Sequence, residues 1–178
     1  MRYQVLAVDY DGTLAERGAV SPATVAALDR LTATGRKLVL VTGRQLDDLL
    51  GVFPEIELCD RVVAENGALL YCPATRERTP LGPPPPPEFI RALRKRGVAP
   101  LAAGASIVAT EQPHESTVLE AIRDLGLELQ VIFNKGAVMV LPASVNKATG
   151  LAAALDELGL SARNVAAIGD AENDHALL

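Results

Sequence analysis

The feature that most restricts the fold of this chain is a series of short apolar segments, each ending in small or polar residues. The four segments are YQVLAVD (3–9), KLVLVTG (37–43), RVVAENG (61–67) and NVAAIGD (164–170). Strands of a parallel sheet are buried on both faces, and they therefore appear in sequence as continuous apolar runs of this length. Helical segments separate the first three. One begins at an N-cap Ser21 followed by Pro22 and ends at Gly35, and a shorter one covers 45–52. This alternation predicts an α/β fold with a doubly wound, Rossmann-like parallel sheet.

The middle of the chain has a different pattern. The segments GALLY and 76–78 indicate a hairpin, and the five prolines at 83–87 indicate a stiff connector. Two helices (88–97 and 114–126), a strand at 106–110 and a hairpin over 127–142 follow. A helix over 146–158 then returns to the first pattern. We therefore expect a core formed by 1–72 and 141–178, with a small α+β module inserted at 73–140.

Composition excludes several classes of protein. With 49% hydrophobic and 22% charged residues, the chain of 178 residues is typical of a globular protein. Its apolar runs are too short to cross a membrane, and the N-terminus lacks a signal-peptide pattern. A net charge of −5 and 3% aromatic residues argue against nucleic-acid binding. The presence of only two cysteines favours a reducing compartment, so we expect a cytoplasmic protein.

Acidic residues follow two of the predicted strands. Asp9 and Asp11 close the first, and Asp170 closes the last, with Asp174 one helical turn further on. Because the carboxyl ends of parallel strands meet at one edge of the sheet, these side chains are expected to converge there. Four carboxylates in one crevice require a hard cation, and oxygen ligands favour Mg²⁺.

The remaining polar residues at strand ends and helix starts are suited to a phosphate group. Thr42 offers a hydroxyl and the backbone N–H groups beside it, and Lys147 offers a positive charge near a helix N-terminus. Asp9 could then attack phosphorus, while Asp11 protonates the leaving oxygen and later deprotonates water.

Each motif alone has a simpler interpretation. Asp-x-Asp-Gly could belong to a calcium loop, but residues 13–20 contain only one further acid. Thr42-Gly43 could be an ordinary turn, and Lys147 could be a solvated lysine. For Arg44 a surface position and a substrate contact both remain open. The ordered set, each member at a strand end or a helix start, is what indicates phosphate chemistry.

The segments VDYDGTL, VTGR, NKATGL and GDAEND resemble the four ordered motifs of the haloacid dehalogenase (HAD) superfamily of Mg²⁺-dependent aspartyl-phosphate phosphatases. They are most similar to class IIB, Cof-type hydrolases, which include phosphoglycolate and sugar-phosphate phosphatases. In that class a cap is inserted between the second and third motifs, where the module at 73–140 lies here. The resemblance implies a Mg²⁺-dependent phosphomonoester hydrolase acting on a small phosphorylated metabolite.

The resemblance also implies individual roles. Asp9 would be the nucleophile and a Mg²⁺ ligand, and Asp11 the acid/base whose backbone carbonyl also binds Mg²⁺. Phosphate would be bound by Thr42 and Lys147. The metal site would be completed by Asp170 and supported by Asp174. The residues expected to line the pocket or contact substrate are Gly43, Arg44, Asn66 (in AENGA, 64–68) and Asn173.

The resemblance also bears on the C-terminal end of the core. Relatives continue beyond the fourth motif, so we expect part of the core to be missing at the C-terminus and the strand at 165–169 to form an open edge. Self-association or an additional C-terminal region would cover that edge.

A HAD-like domain of a larger protein could instead act as a sensor or interaction module with little activity. Mutase chemistry is less favoured, because mutases of this superfamily usually carry the cap between the first two motifs.

Overall fold

The computed structural model describes residues 3–134 and 136–170. The strands in this part of the chain are β1 (Val5–Asp9), β2 (Ala15–Glu16), β3 (Ala19–Val20), β4 (Lys37–Val41), β5 (Arg61–Ala64), β6 (Leu69–Cys72), β7 (Glu77–Pro80), β8 (Ala102–Ala103), β9 (Val108–Glu111), β10 (Leu129–Asn134), β11 (Ala137–Pro142) and β12 (Val165–Ile168). The α-helices are α1 (Pro22–Ala33), α2 (Leu46–Val52), α3 (Pro87–Lys95), α4 (Glu115–Asp124) and α5 (Lys147–Leu158).

The main sheet has the strand order β12-β1-β4-β5-β6-β7. The first four strands are parallel, which confirms the predicted α/β fold, and the last two form an antiparallel hairpin at one edge. The chain runs outward from β1 through β4 to β5 and later returns to β12 on the other side of β1. Since strand order reverses at β1, its carboxyl end is where an open α/β sheet binds ligands.

The register of the sheet determines which strand ends meet. Asp9 is paired with Val41, so the residues that follow β1 and β4 leave the sheet side by side. Val8 is paired with Ile168 on the other side, which places the end of β12 next to them. The three strand ends that the sequence predicts to converge therefore lie at one edge of one sheet.

The chain divides into two units at positions that differ from the predicted boundaries. The first contains the described residues up to Leu81 and from Asn146 onward, and the second is Gly82–Val145. The expected module at 73–140 began too early, because β7 pairs with β6 along four residues and extends the main sheet. It also ended too early, because β11 continues to Pro142.

The second unit has its own sheet and its own core. Its strands are antiparallel in the order β10-β11-β9-β8, and the predicted hairpin over 127–142 and both predicted helices are confirmed. Its buried core consists of Phe89, Leu93, Val98, Val108, Val118, Ala121, Val138 and Val140. The core of the first unit is made of other residues, mainly from the main sheet and α5.

Local chemistry explains where α1 begins. Ser21 is extended, and its hydroxyl accepts a hydrogen bond from the backbone N–H of Thr24 at 3.1 Å. Pro22 occupies the first helical position, where a missing N–H costs nothing.

No helix in the described part of the chain combines the length and the apolar character needed to span a bilayer.

Candidate active site

A buried ion pair joins the first predicted strand end to the start of α5. Nζ of Lys147 donates a hydrogen bond to Oδ1 of Asp9 at 2.6 Å. The two side chains are only 3% and 6% exposed. A carboxylate at this depth needs a charged partner, because burying an unpaired charge costs several kcal/mol. Two residues that the sequence places 138 positions apart therefore form one charged centre at the sheet edge.

Helix α5 reaches this point because its N-terminus is capped and packed without side chains in between. Asn146 is the N-cap and forms a reciprocal capping box with Thr149, with both hydrogen bonds at 2.9 Å. Gly67 has φ +100°, and a Cβ there would overlap the backbone carbonyl of Asn146. A Cβ on Gly150 would lie 2.7 Å from the Cα of Gly67. Two glycines thus allow backbone-to-backbone contact, which fixes Lys147 opposite Asp9.

The loop after β4 lies against the loop after β5. The backbone N–H of Asn66 donates to the carbonyl of Thr42 at 3.0 Å. The side-chain amide of Asn66 lies over Gly43, since a Cβ at that glycine would be 3.1 Å from Nδ2. Thr42 and Asn66 are both buried, and Asn66 has φ +53°. The structure therefore brings together Thr42, Gly43 and Asn66, and their contacts with phosphate or substrate stay predictions.

Arg44 is bound to two carboxylates. Its Nε and Nη2 donate to the two oxygens of Asp11 at 2.7 and 2.8 Å, and its Nη1 donates to Asp48 at 2.6 Å. The hydrogen bonds to Asp11 are the main reason why the pKa of the Arg44 guanidinium is raised above its ordinary value. The structure places Arg44 next to the predicted acid/base, in a bidentate pairing.

The ring of Tyr10 packs against one face of the Arg44 guanidinium. The guanidinium carbon lies 5.4 Å from the centre of the Tyr10 ring, within the range of a cation–π contact. Tyr10 is fully buried and its hydroxyl donates to the carbonyl of Gly18 at 3.1 Å. Burial is the main cause of the raised pKa of this phenol. Tyr10 thereby contacts both the turn between β2 and β3 and the guanidinium of Arg44.

Asp170 approaches the loop that follows β1. A Cβ on Gly12, whose φ is +94°, would overlap the Asp170 carboxylate, so the close approach depends on glycine. The hydroxyl of Thr13 donates to Oδ1 of Asp170 at 3.4 Å. Carboxylate and carbonyl oxygens at one strand edge form the donor set that Mg²⁺ prefers. In chemical type, the oxygens of Asp9, the Asp11 backbone and Asp170 suit a hard cation.

Three of the four carboxylates expected to share a cation, those of Asp9, Asp11 and Asp170, lie in the part of the chain that the structure describes. There, no group of three or more Asp, Glu, His or Cys side chains is close enough to hold a metal ion. The Asp11 side chain turns toward Arg44, and Asp9 is engaged by Lys147. Two other predicted residues, Asn173 and Asp174, lie outside the described residues. Their roles remain predictions.

Three residues near the site were not singled out by the sequence analysis. Asp48 completes the contacts of Arg44, and Tyr10 supports it. Glu65 is 3% exposed, has φ +54°, and its N–H donates to the carbonyl of Arg44 at 2.9 Å. The only signal for Asp48 was its i,i+4 spacing from Arg44. For Glu65 the signal was an acidic residue at the end of an apolar strand, the same pattern that drew attention to Asp9.

Comparison with known proteins identifies the family. The model of the haloacid dehalogenase-like hydrolases matches residues 6–117 and 106–178, which together cover most of the chain. The chain belongs to the haloacid dehalogenase-like hydrolase family. The chain is therefore a hydrolase of this family, and curated relatives of it are named phosphatases.

Two archaeal HAD phosphatases illustrate the relationship. The phosphoglycolate phosphatase of Methanothermobacter thermautotrophicus is 32% identical over 180 residues, covering 96% of this chain and 79% of that one. The phosphoglycolate phosphatase of Natronomonas pharaonis is 31% identical over 185 residues, covering 97% and 79%.

Solved structures of HAD proteins share the fold. A haloacid dehalogenase-like hydrolase from Bacteroides thetaiotaomicron superposes with a TM-score of 0.82 at 17% identity, covering 98% of this chain and 84% of that one. A HAD subclass IIB sugar phosphatase gives a TM-score of 0.76 at 18% identity, with coverages of 98% and 84%. These likenesses confirm the α/β fold with its inserted α+β unit.

Proposed function

We propose that this HAD hydrolase is a Mg²⁺-dependent phosphomonoesterase that acts on a small phosphorylated metabolite through an aspartyl-phosphate on Asp9. The observation that carries the proposal is the buried pair between Asp9 and Lys147 at the edge where β1, β4 and β12 end. The pair presents a carboxylate oxygen as a nucleophile beside a cation that can hold a phosphate oxygen. Thr42 and the adjacent backbone N–H groups offer further donors for the phosphate.

The reaction divides into two displacements at phosphorus. In the first, an oxygen of Asp9 forms a bond to phosphorus, the bond from phosphorus to the ester oxygen breaks, and Asp11 gives its proton to the departing alkoxide. In the second, Asp11 takes a proton from water as the water oxygen bonds to phosphorus. The bond from phosphorus to Asp9 then breaks, and inorganic phosphate leaves. Asp11 ends with the proton it lost, so the sum is ester plus water to alcohol plus phosphate.

The cation would be held by Asp9, the backbone carbonyl of Asp11 and Asp170. When bound, Mg²⁺ offsets the negative charge of the phosphoryl group and of the carboxylates around it. The close approach of Asp170 to Gly12 supports this assignment, since it places two acidic strand ends within one loop of each other. Support from Asp174 and a pocket contact from Asn173 are part of the same proposal.

The substrate class follows from the relatives. Curated relatives at 32% and 31% identity are named phosphoglycolate phosphatases, and a structural neighbour is a sugar phosphatase. We therefore propose phosphoglycolate or a small sugar phosphate as the substrate, and the inserted unit Gly82–Val145 as the cap that selects it. We also propose a cytoplasmic location, since a chain with only two cysteines suits a reducing compartment.

The deciding experiment measures phosphate release from a panel that includes 2-phosphoglycolate, hexose phosphates and 4-nitrophenyl phosphate. Turnover is expected with Mg²⁺ and is expected to stop when EDTA is added. Asp9→Asn should remove turnover and covalent labelling by [³²P]phosphoester while the circular dichroism spectrum is unchanged. Turnover by Asp9→Asn at the wild-type rate would exclude Asp9 as the nucleophile. Absence of turnover by the wild-type chain with every ester would favour a non-catalytic sensor or interaction role.

A further inference from the structure

We propose that Arg44 is a positioning residue that holds the Asp11 carboxylate in the orientation needed to exchange a proton with the leaving group. This inference rests on the proposed function and assigns Arg44 a role different from the substrate contact expected from sequence. It is carried by the contacts of Arg44 with Asp11, Asp48 and the ring of Tyr10.

The hydrogen-bonding edge of Arg44 is already occupied by protein groups. A guanidinium has five N–H donors in a planar fork. Nε and Nη2 lie on the edge that matches a carboxylate, and both donate to Asp11, at 2.7 and 2.8 Å. Nη1 donates to Asp48 at 2.6 Å. With that edge paired to Asp11, Arg44 is better placed to orient the carboxylate than to grip a substrate phosphate in the same bidentate way.

The face of the guanidinium is also occupied. It lies over the Tyr10 ring, with the carbon 5.4 Å from the ring centre. On the neighbouring turn, a Cβ at Gly18 would lie 3.6 Å from Nη2 of Arg44. Because Tyr10 is fully buried and itself hydrogen-bonded to Gly18, its ring is restricted in the position where it contacts Arg44. A long arginine side chain normally keeps much rotamer freedom. Because these contacts already restrict the rotamers of Arg44, its contact with Asp11 is pre-organised.

A contact that orients the carboxylate matters more for Asp11 than for Asp9, because Asp11 is the more exposed of the two. Its carboxylate is 36% exposed, compared with 6% for Asp9. It lies beyond the end of β1, beside Gly12, where its backbone forms an isolated bridge with Ala15. A bidentate pair fixes the plane of a carboxylate as well as its position. Each oxygen of a carboxylate paired in this way can still accept a second hydrogen bond.

The role can be separated from a merely structural one by changing the leaving group. Cleavage of an alkyl phosphate expels a basic alkoxide and depends on the proton from Asp11. Cleavage of 4-nitrophenyl phosphate expels a stable phenolate and does not. Because kcat/KM reports only on steps through the first irreversible one, it isolates cleavage of the ester bond. The quantity to measure is therefore kcat/KM for 2-phosphoglycolate, or for the best alkyl ester of the panel, divided by kcat/KM for 4-nitrophenyl phosphate.

For Arg44→Met we expect this ratio to fall by about tenfold or more, since a positioned acid contributes about 10²–10⁴ in rate. Arg44→Lys keeps the charge without the fork and should fall between Arg44→Met and wild type. Asp48→Asn keeps the pair with Asp11 and should show a smaller loss. Arg78→Met is the matched control: it removes an arginine–aspartate pair to Asp47 on the same helix, at 2.7 Å, and should leave the ratio unchanged.

A double-mutant cycle completes the test. If Arg44 acts through Asp11, then Arg44→Met added to Asp11→Asn should not lower the ratio further. An equal loss with both esters, or a further fall in the Asp11→Asn background, would overturn the inference while leaving the proposed function standing. If the wild-type chain hydrolyses neither ester, the proposed function fails and the inference fails with it. Arg44→Lys and Asp48→Asn keep the test valid should Arg44→Met not fold.

Discussion

The two acidic residues that close β1 receive their positive partners from different parts of the chain. Asp9 is buried and pairs with Lys147 from α5, whereas Asp11 is partly exposed and pairs with Arg44 after β4. The difference in burial matters more than the similar distances, because water screens the exposed pair and not the buried one. Asp9 is therefore the carboxylate whose charge depends most on its partner, which suits a nucleophile that must stay ionised.

Removing the cation of the buried pair should be costly. We expect Lys147→Met to lower the free energy of unfolding by about 3–5 kcal/mol, because it leaves the Asp9 carboxylate buried without its partner. Lys37→Met removes a pair with Asp60 of similar length, 2.8 Å, in which the lysine is 46% exposed. There the loss should stay under about 1 kcal/mol. Urea denaturation of both variants measures the difference, and equal losses would mean that Asp9 is not dependent on Lys147. Asp9→Asn added to Lys147→Met should recover part of the stability.

The two cysteines should differ in reactivity. Burial raises the pKa of the Cys59 thiol to about 12. A hydrogen bond to Thr75 and, to a smaller extent, the charge of Arg61 hold the pKa of Cys72 below its ordinary value. Since only the thiolate reacts, iodoacetamide between pH 7 and 9 should modify Cys72 first and Cys59 only after unfolding in urea. Mass spectrometry of the peptides measures this. Thr75→Val should move the labelling of Cys72 to higher pH, and an unchanged profile would show that Thr75 does not stabilise the thiolate.

At the scale of elements, the site depends on how closely α5 approaches the loop after β5. Two glycines, Gly67 and Gly150, stand where any side chain would push the two backbones apart. The capping box of Asn146 begins the helix at this close contact. Lys147 is therefore both the first helical residue and a buried one. Packing of a helix N-terminus thus sets the geometry of the charged pair.

Adding one methyl group to α5 tests this dependence. In Gly150→Ala the new Cβ would overlap a methyl group of Val63 and crowd the backbone of Gly67, so we expect a loss of about 1–3 kcal/mol in the free energy of unfolding together with lower phosphatase activity. Gly51→Ala in α2 is the matched control, since nothing lies within 4 Å of its Cβ position. There alanine should be neutral or stabilise by up to about 1 kcal/mol. Denaturation midpoints of the two variants decide, and equal midpoints would show that the approach is not tight.

For the whole molecule, most of the architecture could be predicted because its signals are local. Apolar runs of strand length, the N-cap at Ser21 and the proline connector each determine structure over a few residues. The position of Asp9 and Thr42 at neighbouring strand ends followed from the rule that parallel strand ends meet. The boundary of the inserted unit did not follow from the sequence, because the predicted hairpin of GALLY with 76–78 does not by itself show that it extends the main sheet. The pairing of Arg44 with Asp11 was also out of reach, since rotamers depend on neighbours such as Tyr10.

The two separate cores predict that the units can open separately. Leu93 is fully buried in the core of the second unit, which shares no residue with the core of the first. Leu93→Ala should cost about 2–5 kcal/mol of packing within Gly82–Val145. Hydrogen exchange read by mass spectrometry should then speed up in α3, α4 and β11 and stay unchanged in β1 and β4. Val39→Ala, in the core of the main sheet, should give the opposite pattern. Faster exchange in both units from Leu93→Ala would show instead that the chain opens as one cooperative body, because the loss in one core would then be felt throughout.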